Sequence, residues 1–158
     1  MIFVFSHERP GMLLNVLKHL DTYEHGHDVT VIDDASTFDF TEHNELAGIY
    51  QAEKHLGKPN YWMQWRTAFN LAFHSDDDLF IFTPDDFQDL DLVKIAEIHK
   101  ELNHRAYCFN LINDGRDQSF RQFKLKPHTI AGVACSHIGF ADCGFFCNRS
   151  TLRLLNFH

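Results

Sequence analysis

Short runs of consecutive apolar residues alternate along the chain with longer stretches in which apolar residues recur every three or four positions. Residues 2–5, 29–32 and 79–82 are such runs and predict buried strands. After the first, Pro10 occupies a first helical position, and Leu13, Leu14, Val16, Leu17 and Leu20 follow at helical spacing. Trp62, Trp65, Phe69 and Phe73 predict a helix over 61–74, with Asn60 as its N-cap. Leu92, Ile95, Ala96, His99 and Leu102 predict another over 90–102. Residues 38–44 read as polar loop, and the stretch from there to Lys54 as a short helix. Further on, 107–112 predicts a strand, Asn113-Asp114-Gly115 a turn, and 119–125 a hairpin arm. A last strand near Phe145-Phe146 runs into a helix start at Asn148-Arg149-Ser150-Thr151. Strands alternating with helices at this spacing predict an α/β fold with a mostly parallel sheet.

That topology gives the polar clusters a position. Ligands of an open α/β sheet bind outside the carboxyl ends of its strands. Ser6-His7-Glu8-Arg9 leaves the first strand, Asp33-Asp34 the second and Asp85-Asp86 the third, so the three clusters should share one edge. Asp76-Asp77-Asp78 carries more charge but precedes its strand, which displaces it by about 13–17 Å at about 3.3 Å per residue. We read that triplet as a solvated turn. At the favoured edge, Asp86, with Asp85 in support, can hold a hard divalent cation that keeps positions open for phosphate oxygens. Asp33 or Asp34 can accept a hydrogen bond from a nucleobase or ribose. Arg66 and Asn70, an i,i+4 pair, can turn polar atoms toward the same ligand while Trp65 and Phe69 pack inward. The set suits a nucleoside diphosphate.

Composition narrows this further. The chain has 158 residues, 44% hydrophobic and 23% charged, which fits one domain with its own core and excludes wholesale disorder. A formal charge of −8 argues against a general nucleic-acid binder, although the 12 His can add positive charge below about pH 6.5. The first residues lack the positive leader of a signal peptide, and no apolar run approaches the roughly 18 residues of a spanning helix. A cytoplasmic location is the expectation. Cys108, Cys135, Cys143 and Cys147 then read as reduced, buried thiols. Cys135-x-His137 with Cys143-x3-Cys147 lacks the C-x2-C knuckle of a zinc site.

Four segments follow one another along the chain: Phe3-Val4-Phe5-Ser6-His7-Glu8-Arg9-Pro10, then Val29-Thr30-Val31-Ile32-Asp33-Asp34-Ala35-Ser36, Arg66-Thr67-Ala68-Phe69-Asn70, and Leu79-Phe80-Ile81-Phe82-Thr83-Pro84-Asp85-Asp86. In order and spacing they resemble GT-A-fold glycosyltransferases, notably the family 2 type. The resemblance implies a three-layer sandwich around a mostly parallel central sheet, the Rossmann-like nucleotide-binding GT-A fold. It implies a donor-binding half over 1–88, with Ser6, Glu8, Arg9, Asp33, Asp34, Arg66 and Asn70 around a UDP- or GDP-sugar. Asp86 and Asp85 would bind Mn2+ or Mg2+. The half over 89–158 would serve a hydroxyl acceptor and stops at His158 within an expected helix, so the resemblance implies an acceptor-specificity part that is minimal, absent or supplied by another chain. In it, Gly139-Phe140-Ala141-Asp142 before Phe145-Phe146-Cys147-Asn148-Arg149 resembles the segment in which inverting members carry the acceptor-side base, which implies that role for Asp142. Two departures stand out. Pro84 takes the first acidic position of the usual Asp-x-Asp, and Ala35 replaces a glycine, so its turn should avoid a glycine conformation.

Three other readings compete with this one. A nucleotidyltransferase of related fold needs a glycine-rich phosphate loop after the first strand, where this chain has the single Gly11. A response-receiver domain places its paired aspartates after the first strand, and here they follow the second. A non-catalytic sugar-nucleotide-binding module draws support from Pro84 and the short acceptor half.

Overall fold

Alternation along the central strands sorts the apolar residues into two chemically distinct layers. In β1 (Ile2–Ser6), Ile2 and Val4 face one side of the sheet and Phe3 and Phe5 the other. In β4 (Leu79–Pro84), Leu79 and Ile81 join the first side and Phe80 and Phe82 the second. Such strands are buried on both faces, which is why they read as continuous apolar runs. The aliphatic side is covered by α1 (Pro10–Asp21), through Leu13, Val16, Leu17 and Leu20, and by α5 (Leu92–Leu102), through Leu92, Ile95 and Ile98. The aromatic side is covered by α4 (Trp62–His74) and α6 (Arg149–Leu155). There Phe82 stacks on Phe3 at 5.1 Å and on Phe145 at 4.7 Å between ring centroids, while Trp65 stacks on Phe145 at 5.5 Å.

The structure is a computed structural model and describes residues 1–23, 26–87, 90–102, 105–110, 128–130, 133–135 and 144–155. Its main sheet has six strands in the order β3-β2-β1-β4-β8-β5. Here β2 is Val29–Asp33, β3 is Gly48–Gln51, β5 is Cys108–Asn110 and β8 is Phe145–Asn148. Strands β3, β2, β1 and β4 are parallel, and β8 runs antiparallel to both β4 and β5. The result is the three-layer sandwich with a mostly parallel sheet that the sequence predicts. Because β8 pairs with β4, both halves of the chain share this sheet. A short hairpin, β6 (His128–Ile130) with β7 (Val133–Cys135), forms a second sheet.

Three local expectations are corrected. The stretch after Asn44 read as helix up to Lys54 holds instead the edge strand β3, whose residues Ile49 and Tyr50 suit a pleated edge, and the segment 38–44 read as polar loop holds the one-turn α2 (Thr41–Asn44). Asn60 does not cap α4. It ends the short α3 (Gly57–Asn60), and its side-chain amide donates back to the Leu56 carbonyl at 3.1 Å. The hairpin arm expected over 119–125 lies outside the described residues. Cys108 and Cys147 face each other across the β5–β8 pair, and burial pushes the Cys108 thiol up to about 12 and that of Cys147 well above its ordinary range. Such thiols are inert. Among the described residues, no helix is long and apolar enough to cross a membrane.

Candidate functional site

Parallel strands that end in register deliver their polar termini to one edge. Backbone bonds lock them there: Asp34 N–H donates to Ser6 O at 3.0 Å, Asp85 N–H to Phe5 O at 3.0 Å, and Ala52 N–H to Asp33 O at 2.9 Å. A cleft of about 770 Å³ opens at this edge. Its floor is Phe5 and Ser6, Asp34 and Asp85 stand beside them, and His55, Lys58, Tyr61 and Gln64 close the far wall.

Two carboxylates share one cation on the β4 side. Arg9 Nη1 donates to Asp85 Oδ1 at 3.3 Å and to Asp86 Oδ2 at 3.2 Å. The Ser6 hydroxyl donates to the other Asp85 oxygen at 2.8 Å. Of the two aspartates, Asp85 lines the cleft with a side chain 4% exposed, whereas Asp86 is 52% exposed. The geometry therefore reverses the expected ranking, with Asp85 at the cleft and Asp86 at its rim. The reason is that β4 continues through Pro84, which brings Asp85 against β1. Burial pushes the Asp85 carboxyl above the usual carboxylate range, against the pull of the Ser6 hydroxyl and the Arg9 guanidinium. With two carboxylates against one guanidinium, this donor set fits a hard cation that takes its other ligands from phosphate and water.

The β2 side departs further from expectation. Asp33, 1% exposed, accepts both the Ser36 N–H at 2.7 Å and the Ser36 hydroxyl at 2.5 Å. Its oxygens brace the turn and do not line the cleft. Ala35 in that turn has φ 56°, a left-handed conformation, so the expectation that alanine excludes it is overturned. The Asp33–Ser36 bonds hold the turn despite a cost of about 1–2 kcal/mol. Glu8, also left-handed at φ 52°, accepts from the Thr37 N–H at 2.8 Å and serves the same brace. Asp34 is a clasp for the 55–57 turn: Oδ1 accepts from Leu56 N–H at 2.6 Å, Oδ2 from Gly57 N–H at 3.1 Å, and the backbone carbonyl from His55 Nδ1–H at 3.4 Å, with Oδ2 2.9 Å from the same ring nitrogen.

Arg66 and Asn70 are exposed on α4 and are not among the cleft-lining residues. The inward face of this helix carries Gln64, Ala68 and Ala72, which turns positions 66 and 70 away. Asp142 lies outside the described residues, as do His137 and Cys143. At the opposite edge, Asp77 pairs with the Met1 amino group at 3.1 Å, and the Arg149 guanidinium donates to the backbone carbonyls of Ser75 and Asp77.

His7 arrives with the expected Ser6–Arg9 cluster, whereas His55, Lys58, Tyr61 and Gln64 have no counterpart among the expected site residues. The signal of His55 and Lys58 was hidden by the missed β3. Once 48–51 is a parallel strand, the segment after it must emerge at the carboxyl edge and carry His55 and Lys58 into the cleft.

No family model and no curated protein matches the chain. Solved structures do. Staphylococcus aureus TarS is 19% identical with a TM-score of 0.52, over 68% of this chain. This chain spans only 20% of TarS. A CMP-2-keto-3-deoxy-manno-octonic acid synthetase complexed with CTP is 9% identical over 98% of this chain and 76% of its own, with a TM-score of 0.52. A 4-diphosphocytidyl-2C-methyl-D-erythritol synthase is 9% identical over 99% and 85%, also at 0.52. These likenesses establish the GT-A-like, Rossmann-like fold.

Proposed function

We propose that the chain is a transferase that binds a nucleoside-diphosphate sugar in the cleft and passes the sugar to an acceptor hydroxyl with inversion. The observation that carries this reading is the pairing of Asp85 and Asp86 with Arg9 at a cleft that Lys58 also lines, which combines carboxylates for a cation with cations for a diphosphate. Asp85 and Asp86 would hold Mn2+ or Mg2+, and that ion supplies Lewis-acid stabilisation of the leaving diphosphate. Arg9 and Lys58 offset the charge that grows on the same oxygens. Ser6 fixes the Asp85 carboxylate in place through its 2.8 Å bond. Phe5 and Tyr61 offer aromatic faces for the nucleoside. Asp142 is the proposed base that takes the acceptor proton.

Nucleotidyl transfer is the second reading, favoured by the two neighbours that cover almost the whole chain. Against it, β1 passes within four residues into α1 with Pro10 at the first turn, which leaves no glycine-rich loop for a triphosphate.

A thermal-shift screen of UDP-, GDP-, CDP- and TDP-sugars with and without Mn2+ tests the reading. A ligand at about 100 times its Kd adds about 2.7 kcal/mol, or about 5–10 °C for a chain of this length. A Mn2+-dependent rise with at least one sugar nucleotide, followed by slow hydrolysis of that donor by water, is expected. Stabilisation by CTP or another triphosphate alone would favour nucleotidyl transfer. Donor binding without transfer or hydrolysis would favour a binding module.

A further inference from the structure

His7 follows β1 and His55 follows β3, 48 positions apart in sequence, yet their rings stack at 4.2 Å between centroids with 19° between planes. Both Nδ1 atoms face acceptors of one residue. His7 Nδ1–H donates to the Asp34 carbonyl at 2.8 Å, and His55 Nδ1–H donates to the same carbonyl at 3.4 Å with Asp34 Oδ2 2.9 Å away. A carbonyl and a carboxylate only accept, so each Nδ1 carries its proton. Each Nε2 is thereby left as a lone-pair donor when the ring is neutral. That is the arrangement found around metal-bound histidines, whose second ring nitrogen donates to a carboxylate or backbone carbonyl that fixes tautomer and orientation. A ring nitrogen of each histidine and an Asp34 oxygen lie within 4.8 Å of one another.

We infer that His7 and His55 form a nitrogen-donor site for a borderline divalent cation of the Zn2+ class at the wall of the cleft, distinct from the Asp85–Asp86 pair. Imidazole selects Zn2+-class ions, whereas oxygen donors suit Mg2+ and Mn2+. Asp34 acts as the outer partner, since its carboxylate is already held by the Leu56 and Gly57 amides. Two protein ligands leave positions open for water or a phosphate oxygen. Both Nε2 atoms reach one ion at about 2.0–2.1 Å only if the rings fan apart. His55 has the freedom to do so, because its side chain is 55% exposed and pivots on Asp34. The inference stands apart from the proposed sugar transfer, because it concerns the ion alone.

The test titrates chelator-treated full chain with Zn2+, and separately with Co2+, at neutral pH without nucleotide. One Zn2+ per chain is expected, undisplaced by excess Mg2+, with a visible Co2+ absorption band. Losing an outer-shell partner alone weakens metal binding about 10–100-fold, so His55→Ala should cost at least that much. His7→Asn should do the same, and circular dichroism on both variants confirms that they fold. Absence of Zn2+ binding in folded wild type overturns the inference, as does binding that survives both substitutions or disappears only when thiols are blocked. Any of these results leaves the donor-binding proposal standing, and failure of donor binding leaves the ion site standing.

Discussion

The two ends of β4 carry similar sequence and do different work. Its amino end follows Asp76-Asp77-Asp78 and its carboxyl end runs into Asp85-Asp86. At the amino end the carboxylates are partly exposed: Asp77 meets the Met1 amino group, and Asp78 lies 3.9 Å from the His99 ring, whose burial favours its neutral form. At the carboxyl end, Asp85 is buried in a cleft wall, and burial holds its proton more tightly than usual. A charge kept in a poorly solvated place at a cost to the fold is a sign of function. The longer acidic run is the one engaged in local contacts at the opposite edge. Position on the sheet, not carboxylate count, separates the two.

The largest effect should come from exchanging the charge at each end. Asp85→Asn is expected to lower Mn2+-dependent affinity for the sugar nucleotide by about 100-fold, the lower range for removing one electrostatic contact in a closed site. Asp77→Asn should leave it unchanged by calorimetry. Comparable losses in both variants would erase the distinction between the two ends. Stability should move the other way. A carboxyl whose folded pKa is raised contributes stability below its unfolded value near 3.8, and that contribution is lost as pH rises through the folded value. At pH 7 the Asp85→Asn variant should therefore melt no lower than wild type, and its advantage should shrink in acid.

A smaller effect sharpens the contrast between neighbours within the site edge. Asp33 braces its own turn, so Asp33→Ala should cost about 1–3 kcal/mol by leaving the buried Ser36 donors unpaired. Urea unfolding would read this as a lower midpoint with nucleotide affinity retained in the folded fraction. Lost affinity at unchanged stability would mean that Asp33 meets the ligand after all.

The smallest effect concerns the left-handed residue of the same turn. Ala35→Gly relieves about 1–2 kcal/mol of backbone cost and gives back about 0.5–1 kcal/mol in unfolded-chain entropy. A net gain of about 0.5–1 kcal/mol is expected, visible as a melting point raised by about 1–4 °C. A drop would show that Asp33 and Ser36 hold the turn without strain.

The sequence by itself determined the sandwich. Ile2, Phe3, Val4 and Phe5, and then Leu79 to Phe82, are apolar on both faces, and only strands covered on both sides bury such runs. It also determined which edge gathers Ser6, Arg9, Asp34 and Asp85, because parallel strands send their carboxyl ends the same way. Tertiary structure alone decided the work of each carboxylate. Asp33, Asp34, Asp85 and Asp86 are chemically alike in sequence, and their roles depend on which donors come within about 3 Å: Ser36 for Asp33, the 55–57 turn for Asp34, and Ser6 with Arg9 for Asp85. Strand β3 was illegible because four residues are too few for a period to show, and an edge strand is stabilised by its neighbour β2, not by its own pattern. Missing it hid His55 and Lys58, since a residue 22 positions after Ile32–Asp33 meets His7 only when that edge strand returns the chain to the same side of the sheet.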